Sequence, residues 1–201
     1  MEKKNMSKTK TRCPEITVIA GPNGSGKTTI TKNFMSNIDN YINADDIKKK
    51  YSCTDEEASN KAGALRESLL KKGEDFTFET VLSTPWNLNF LKTAKENGYF
   101  IKCIYVLTSD YTINISRVRM RKEMGRHGVP EDKIKSRYKK ALKLIPELIE
   151  VCDIVHIYDN SSNYTPFRIF KKRKDVYYHW QNEFWDYPKI ESLTQITDYI
   201  N

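Results

Sequence analysis

The sequence predicts a three-layer α/β fold on a mostly parallel sheet, and three observations lead there. Short apolar, β-branched runs alternate with helix-length amphipathic segments along the 201 residues. One run, YFIKCIYVLT over residues 99–108, is almost continuously apolar, as expected of a strand buried on both faces of a parallel sheet. The first run, ITVIA over residues 16–20, ends in a glycine-rich turn leading straight into a helical segment.

The elements follow in order. After TTITKNFMSNI, which is helix-compatible, NYINADDIKKKY gives a short strand about Tyr41–Asn43 and a turn with Asp45 and Asp46. Asp46 is expected to cap the helix that carries Ile47. TDEEASNKAGALRESLLKKG reads as a helix with Thr54 at its N-cap, acids in its first turn and Gly73 at its stop. DFTFETVL is a strand with Glu79 near its carboxyl end, and TPWNLNFLKTAKENG is a helix closed by Gly98. SDYTINISRVRMRKEM is a helix capped by Ser109 or Asp110, and GRHGV is a loop. Pro130-Glu131-Asp132 opens the next helix with proline at its first position. That helix has Ala141, Leu142, Ile145 and Leu148 at core spacing, and Pro146 predicts a kink or restart. DIVHIYDN is another strand, FRIFKKRKDVYYHW a small hairpin, and LTQITDYI a short terminal helix. With no repeat and no linker, residues 15–201 are expected to form one domain behind a flexible basic tail, 1–14.

The glycine-rich turn carries chemistry. Gly21-Pro-Asn-Gly-Ser-Gly26-Lys27-Thr28 fits the P-loop pattern, which narrows the expected architecture to a P-loop NTPase fold. Gly21, Asn23, Gly24, Ser25, Gly26, Lys27, Thr28 and Thr29 are the nucleotide-binding candidates. Their backbone N–H groups can turn inward around phosphate oxygens, and the helix that starts there aims its positive end at the same anion. Lys27 would place a charge on the β/γ-phosphates and the Thr28 hydroxyl would ligate Mg2+, with ATP or GTP as the ligand.

Composition bounds the rest. A hydrophobic fraction of 38% and a charged fraction of 30% describe a soluble protein, and no apolar run reaches the ~20 residues needed to cross a membrane. The N-terminus has charge but no apolar core, so no secretory signal is read. Cys13, Cys53, Cys103 and Cys152 form no paired motif, which fits a reducing cytoplasm; Cys103 and Cys152 lie in apolar, strand-like stretches and are expected to be buried. A net charge of +8 suits phosphorylated substrates as well as nucleic acid, and nucleic acid is not the favoured partner. The runs Lys48-Lys49-Lys50 and Lys171-Lys172-Arg173-Lys174 read as solvated faces.

In open parallel sheets ligands bind at the carboxyl ends of strands, where Asp45, Asp46, Glu79 and Asp159-Asn160 all fall. Asp45 is the favoured general base, Glu79 needs a partner or ion, and Asp159 either serves the site or closes a turn. Arg117 and Arg121 share a helix face, with Arg126 and His127 in the following loop. Arg117 and Arg126 are the expected charge-stabilising residues; Arg119 and Arg121 are expected to be surface arginines, and His127 a loop hydrogen-bonder.

GPNGSGKTT, INADDI, FTFETVLS, RVRMRKEMGRHGVPEDKIKSRY and IYDNS occur in an order that resembles the zeta toxin-like P-loop kinases, over about residues 15–162. The resemblance is to the compact branch often labelled as predicted ATPases. It implies transfer of the ATP γ-phosphate to a 3′-hydroxyl of UDP-N-acetylglucosamine, by the toxin of a toxin–antitoxin pair. It places the base on Asp45, the P-loop lysine on Lys27, the Mg2+ ligand on Thr28, phosphate contacts on Arg117 and Arg126, and the strand-closing glutamate on Glu79. Two departures stand out. The chain reads Gly125-Arg126-His127 where the branch has Gly-Gly-His, and Gly63 and Arg66 fall where studied toxins carry an acid that helps hold the sugar nucleotide.

The resulting expectation is an ATP/Mg2+-dependent kinase. Its catalytic residues are Asp45, Lys27, Arg117 and Arg126, its acceptor is held at Asp45 and Glu79, and its partners are a UDP-sugar and an antitoxin protein. The alternatives are a nucleoside or nucleotide kinase, or a nucleotide-operated ATPase acting through a partner or nucleic acid.

Overall fold

In a computed structural model that describes residues 12–34, 40–125, 128–162 and 165–200, the apolar runs become strands of one seven-stranded sheet. β1 (Glu15–Ala20) lies near the middle, with Ile16, Val18, Ile19 and Ala20 fully enclosed. β3 (Phe76–Thr80) and β4 (Phe100–Leu107) flank it in parallel. β2 (Tyr41–Ile42) adds to β3 and β5 (Ile154–Asp159) adds to β4, again in parallel. β6 (Phe167–Arg173) and β7 (Val176–His179) form the expected hairpin, which extends the main sheet antiparallel to β5. The order is β2-β3-β1-β4-β5-β6-β7, so the chain runs to one side of β1 and then crosses back to the other. That reversal opens a crevice at the carboxyl end of β1.

The helices are α1 (Lys27–Phe34), α2 (Ala44–Tyr51), α3 (Asp55–Lys72), α4 (Pro85–Glu96), α5 (Tyr111–Glu123), α6 (Glu131–Lys143), α7 (Ile145–Val151) and α8 (Tyr187–Thr194). α3 starts as its sequence requires: Thr54 and Glu57 form a reciprocal capping box. It ends at Gly73, whose φ of +64° suits a residue without a Cβ. The Tyr99 hydroxyl lies 3.1–3.2 Å from the carbonyls of Leu69, Leu70 and Glu74 and takes up part of that helix end. Asp110 is the cap of α5, and the chain restarts between α6 and α7 beside Pro146.

Four local expectations are corrected. Asn43, not Asp46, caps α2, because its side-chain oxygen accepts from the Asp45 N–H; Asp45 and Asp46 sit in the first turn. Pro130 occupies the N-cap of α6 rather than its first helical position. The terminal helix lies earlier than LTQITDYI: Asp186 caps α8, Pro188 sits in its first turn, and Gln195 at φ +58° ends it. Residues beyond it run along β7 instead, with Ile200 N–H bonded to the Tyr177 carbonyl and Tyr199 stacked on His179 at 3.7 Å between ring centroids. Finally, Lys172 is not solvated. It is buried and donates to the Ile149 carbonyl at 2.5 Å and the Glu150 carbonyl at 3.4 Å, neutralising the carboxyl end of α7.

The core runs along one face of the sheet, from Phe76 and Phe78 through Cys103 and Tyr105 to Ile169 and Phe170. Cys103 and Cys152 are buried as expected, Cys152 at the end of α7 rather than in a strand, and all four cysteines are free. Among the described residues no helix is long and apolar enough to cross a membrane. The expected flexible tail falls mostly on residues 1–11, which lie outside the described residues.

Candidate active site

The turn after β1 wraps back on itself as a cradle. A Cβ on Gly21, at φ +140°, would run into the Val106 carbonyl oxygen, and one on Gly26, at φ +99°, into the Asn160 amide. Among the described residues no backbone bond outside helices and strands takes up the N–H groups of Gly26, Lys27 or Thr28, which head α1. The Ser25 hydroxyl and Asn23 Oδ1 are buried without a hydrogen-bond partner. Unspent donors at a helix N-terminus suit phosphate oxygens.

The segment after β5 and helix α5 brace this loop. Asn160 Nδ2 donates to the Ser25 carbonyl at 2.7 Å, and Asn114 Nδ2 to the Asn23 carbonyl at 2.6 Å. Asn114 is fully buried and also accepts from the Thr108 hydroxyl. Asn114→Ala is therefore expected to lower stability by about 1–3 kcal/mol, the cost of leaving buried polar groups unpaired. Urea denaturation measures it, and a change near zero would remove the bracing role.

Lys27 is 8% exposed and donates to the carbonyls of Gly21 at 2.8 Å and Pro22 at 3.1 Å. Burial lowers its pKa below the ordinary lysine value; Glu79 and Asp45 push it back up, and Arg121 adds to the lowering. Asp45, Glu79 and Arg121 thus all act electrostatically on the P-loop ammonium. Asp45 is exposed, with its backbone N–H held by Asn43 Oδ1 at 2.9 Å.

Glu79 has the partners its strand position required. It accepts from the Tyr41 hydroxyl at 2.6 Å, Asn43 Nδ2 at 3.1 Å and the Thr28 hydroxyl at 3.2 Å. Burial first, and the Glu79 carboxylate second, raise the Tyr41 hydroxyl above its ordinary pKa, so it stays protonated and donates. Tyr41 and Asn43 were not singled out from the sequence; two polar residues at the end of an edge strand were the only signal.

The described arginines of α5 divide by exposure. Arg119 is exposed and paired with Glu131 at 2.6 Å, a surface residue as anticipated. Arg117 donates to the carbonyls of Asn160 at 2.7 Å and Ser162 at 3.2 Å, and so holds the loop that braces Ser25. Arg121, one turn further along the same face, is exposed as expected, and its charge adds to the lowering of the Lys27 pKa. Arg126 and His127 lie outside the described residues. Asp159 is buried, accepts from Ser161 and from Asn182 Nδ2 at 2.8 Å, and closes a turn.

Comparison with known proteins follows from this geometry. A family model described as zeta toxin matches residues 1–174. An uncharacterised protein of Haemophilus influenzae is 32% identical over 123 residues, which is 59% of this chain and 88% of that relative. Among solved structures, the AvrRxo1-ORF1:AvrRxo1-ORF2 complex with sulphate ions matches with a TM-score of 0.63 at 13% identity, covering 92% of this chain and 65% of that one. The same complex with ATP gives 0.59 at 13% identity, over 80% and 59%. This chain therefore spans less than two thirds of those structures. The PezAT chromosomal toxin-antitoxin system of Streptococcus pneumoniae matches at 0.52 and 22% identity, covering 76% of this chain and 70% of that one. At these identities the structures establish the fold.

Proposed function

The chain belongs to the zeta toxin family and is a P-loop phosphotransferase, and from that premise we propose that it moves the γ-phosphate of ATP to a hydroxyl of a UDP-sugar resembling UDP-N-acetylglucosamine. The observation that supports this reading is the Glu79 carboxylate 3.2 Å from the Thr28 hydroxyl of the P-loop helix and 3.1 Å from Asn43, the cap of the helix whose first turn carries the exposed Asp45. A protein that only switched on nucleotide binding would need no exposed carboxylate following its second strand.

The roles follow from position. Lys27 and the N–H groups of the loop hold the β/γ-phosphates. Asp45 takes the proton of the acceptor hydroxyl as its oxygen bonds to the γ-phosphorus; the bond to the bridging oxygen breaks and ADP leaves. Arg121 stabilises charge on the transferred group. Glu79, fixed by Tyr41 and Asn43, orients the Thr28 hydroxyl and the acceptor. A P-loop phosphotransferase would use Mg2+, an ion held with few protein ligands and largely through phosphate and water. Thr28, facing Glu79, would hold it, and once bound it offsets phosphate charge. Likeness to a toxin–antitoxin system supports an antitoxin protein as the regulatory partner.

Mass-spectrometric screening of UDP-sugars, nucleosides and NAD with labelled ATP tests the reading. Label on a UDP-sugar supports it; label on a nucleoside moves it to that acceptor class. ATP hydrolysis with no labelled acceptor overturns it in favour of a nucleotide-operated ATPase. Among the arginines, Arg121→Ala is expected to lower kcat about 10²-fold with little change in ATP affinity, since its charge matters most in the transition state. Arg119→Ala should be indistinguishable from wild type, and Arg117→Ala should also lower the thermal midpoint by freeing the Asn160–Ser162 loop. Equal effects at all three positions in steady-state kinetics would contradict this division.

A further inference from the structure

The last three strands, β5, β6 and β7, turn alternate side chains to opposite faces of the sheet. On one face Val155, Ile157 and Phe170 join the core with Ile149 of α7 and Ile190 of α8. The other face carries the residues between them. His156 pairs in register with Lys171, and Lys171 with Tyr178. Tyr158 pairs with Arg168, and Trp180 stands two residues after Tyr178. The register shift at Ile157/Tyr158 takes up one extra residue, which keeps Arg168 on the face of Lys171. All six side chains are partly exposed. Across the strands the order is ring, cation, ring, and β6 supplies the cations.

The distances describe a trough with aromatic walls. Lys171 Nζ lies over the Tyr178 ring at 5.3 Å, and the Arg168 guanidinium carbon over the Trp180 ring at 4.6 Å. Tyr178 and Trp180 are within 12° of parallel, and His156 and Tyr158 within 16°. Burial first, then the charges of Arg168 and Lys171, lowers the His156 pKa to about 4, so this wall is neutral at pH 7. Two residues beyond Lys171, the exposed Arg173 continues the same row. Among the described residues no carboxylate pairs with Arg168, Lys171 or Arg173. The Arg168 Nε is enclosed without a hydrogen-bond partner. Lys172, on the core face, has the carbonyls of α7, whereas Arg168 and Lys171 have ring faces, which recover only part of a cation's lost hydration.

We infer that this face of β5, β6 and β7 is a docking surface for an extended acidic segment of a partner protein, with carboxylates at alternate positions meeting Arg168, Lys171 and Arg173. Same-face residues of a strand recur every ~7 Å, and so do alternate side chains of an extended peptide laid along it. Charge complementarity supplies the attraction, and the net charge of +8 steers an acidic partner toward the chain. The segment lies on the face and does not extend the sheet, because at the β7 edge the Tyr177 carbonyl is already taken by the Ile200 N–H at 2.9 Å. A single-stranded nucleic acid fits less well. It gains its affinity from bases stacked on open ring faces, and Tyr178 and Trp180 turn theirs toward cations. The inference is independent of the phosphate acceptor.

Fluorescence anisotropy tests it, with the full chain titrated at about 0.15 M salt into a labelled ten-residue peptide of alternating glutamate and threonine. The wild-type protein is expected to bind this peptide more tightly than one with the same residues in two blocks. Arg168→Gln/Lys171→Gln should weaken binding about tenfold or more. Arg173→Gln, at an exposed position that supports no packing, should weaken it about two- to fivefold. Lys133→Gln/Lys140→Gln removes two exposed charges from α6 instead and should bind as wild type does. A thermal melt checks the fold of the double variant; if it unfolds, Arg173→Gln and the block peptide decide the matter on an intact fold. Equal binding of both peptides, or equal losses in the β6 and α6 variants, overturns the inference in favour of diffuse charge attraction. Tighter binding of a ten-nucleotide single strand, lost in the same β6 variants, overturns it in favour of nucleic acid.

Discussion

Lys27→Ala is expected to lower phosphoryl transfer by about 10²–10³-fold or more, the scale of losing one preorganised charge at the transferred group. The ammonium is held in the loop by the Gly21 and Pro22 carbonyls, so it is already placed before a phosphate arrives. The protein should remain folded, because the side chain contributes a buried charge rather than core packing, and removing it also removes a desolvation cost. Lys27→Met, which keeps the stem, should match the alanine variant in activity. Single-turnover measurements with labelled ATP, alongside a thermal melt, check both statements. Ordinary turnover by either variant would sink the phosphate-site assignment.

Asp45→Asn is the second large effect, an expected fall of roughly 10²–10⁴-fold in transfer to the acceptor. The substitution keeps shape and removes the ability to take a proton. Nucleotide binding should persist, because the phosphates are held by the loop between β1 and α1. Asp46→Asn should be tolerated: Asp46 is exposed in the first turn of α2, and the cap of that helix is supplied by Asn43. In cells poisoned by the wild-type protein, Asp45→Asn should relieve toxicity at equal expression. Full acceptor phosphorylation by Asp45→Asn would mean that another group accepts the proton and would reopen the nucleotide-switch reading.

Much of the site was legible because it depends on short spacings. A P-loop is a local pattern, and its glycines are required by backbone angles and close approaches that no other residue tolerates. Asp45 and Glu79 could be placed because, in a parallel sheet, whatever follows a strand's carboxyl end faces the ligand crevice. The misplaced terminal helix shows the limit of periodicity. Ile196, Tyr199 and Ile200 recur at a helix-like spacing, but Ile196 and Tyr199 pack against the core without forming a helix and Ile200 is exposed, while the stronger start signals at Asp186 and Pro188 lay just upstream.

By itself, the sequence determined the α/β class, the P-loop, the capping box of α3 and the two carboxylates at the crevice. Each follows from local backbone propensity or from the period of apolar residues. Only the tertiary structure decided which charges meet. Tyr41, Asn43 and Thr28 converge on Glu79 from positions 38, 36 and 51 residues away. Arg117 turns to the Asn160 and Ser162 carbonyls, Lys172 disappears beneath α7, and Arg66 packs among three rings. A side chain's electrostatic role depends on distance and burial, and both are set by how remote segments pack, which no spacing along the chain encodes.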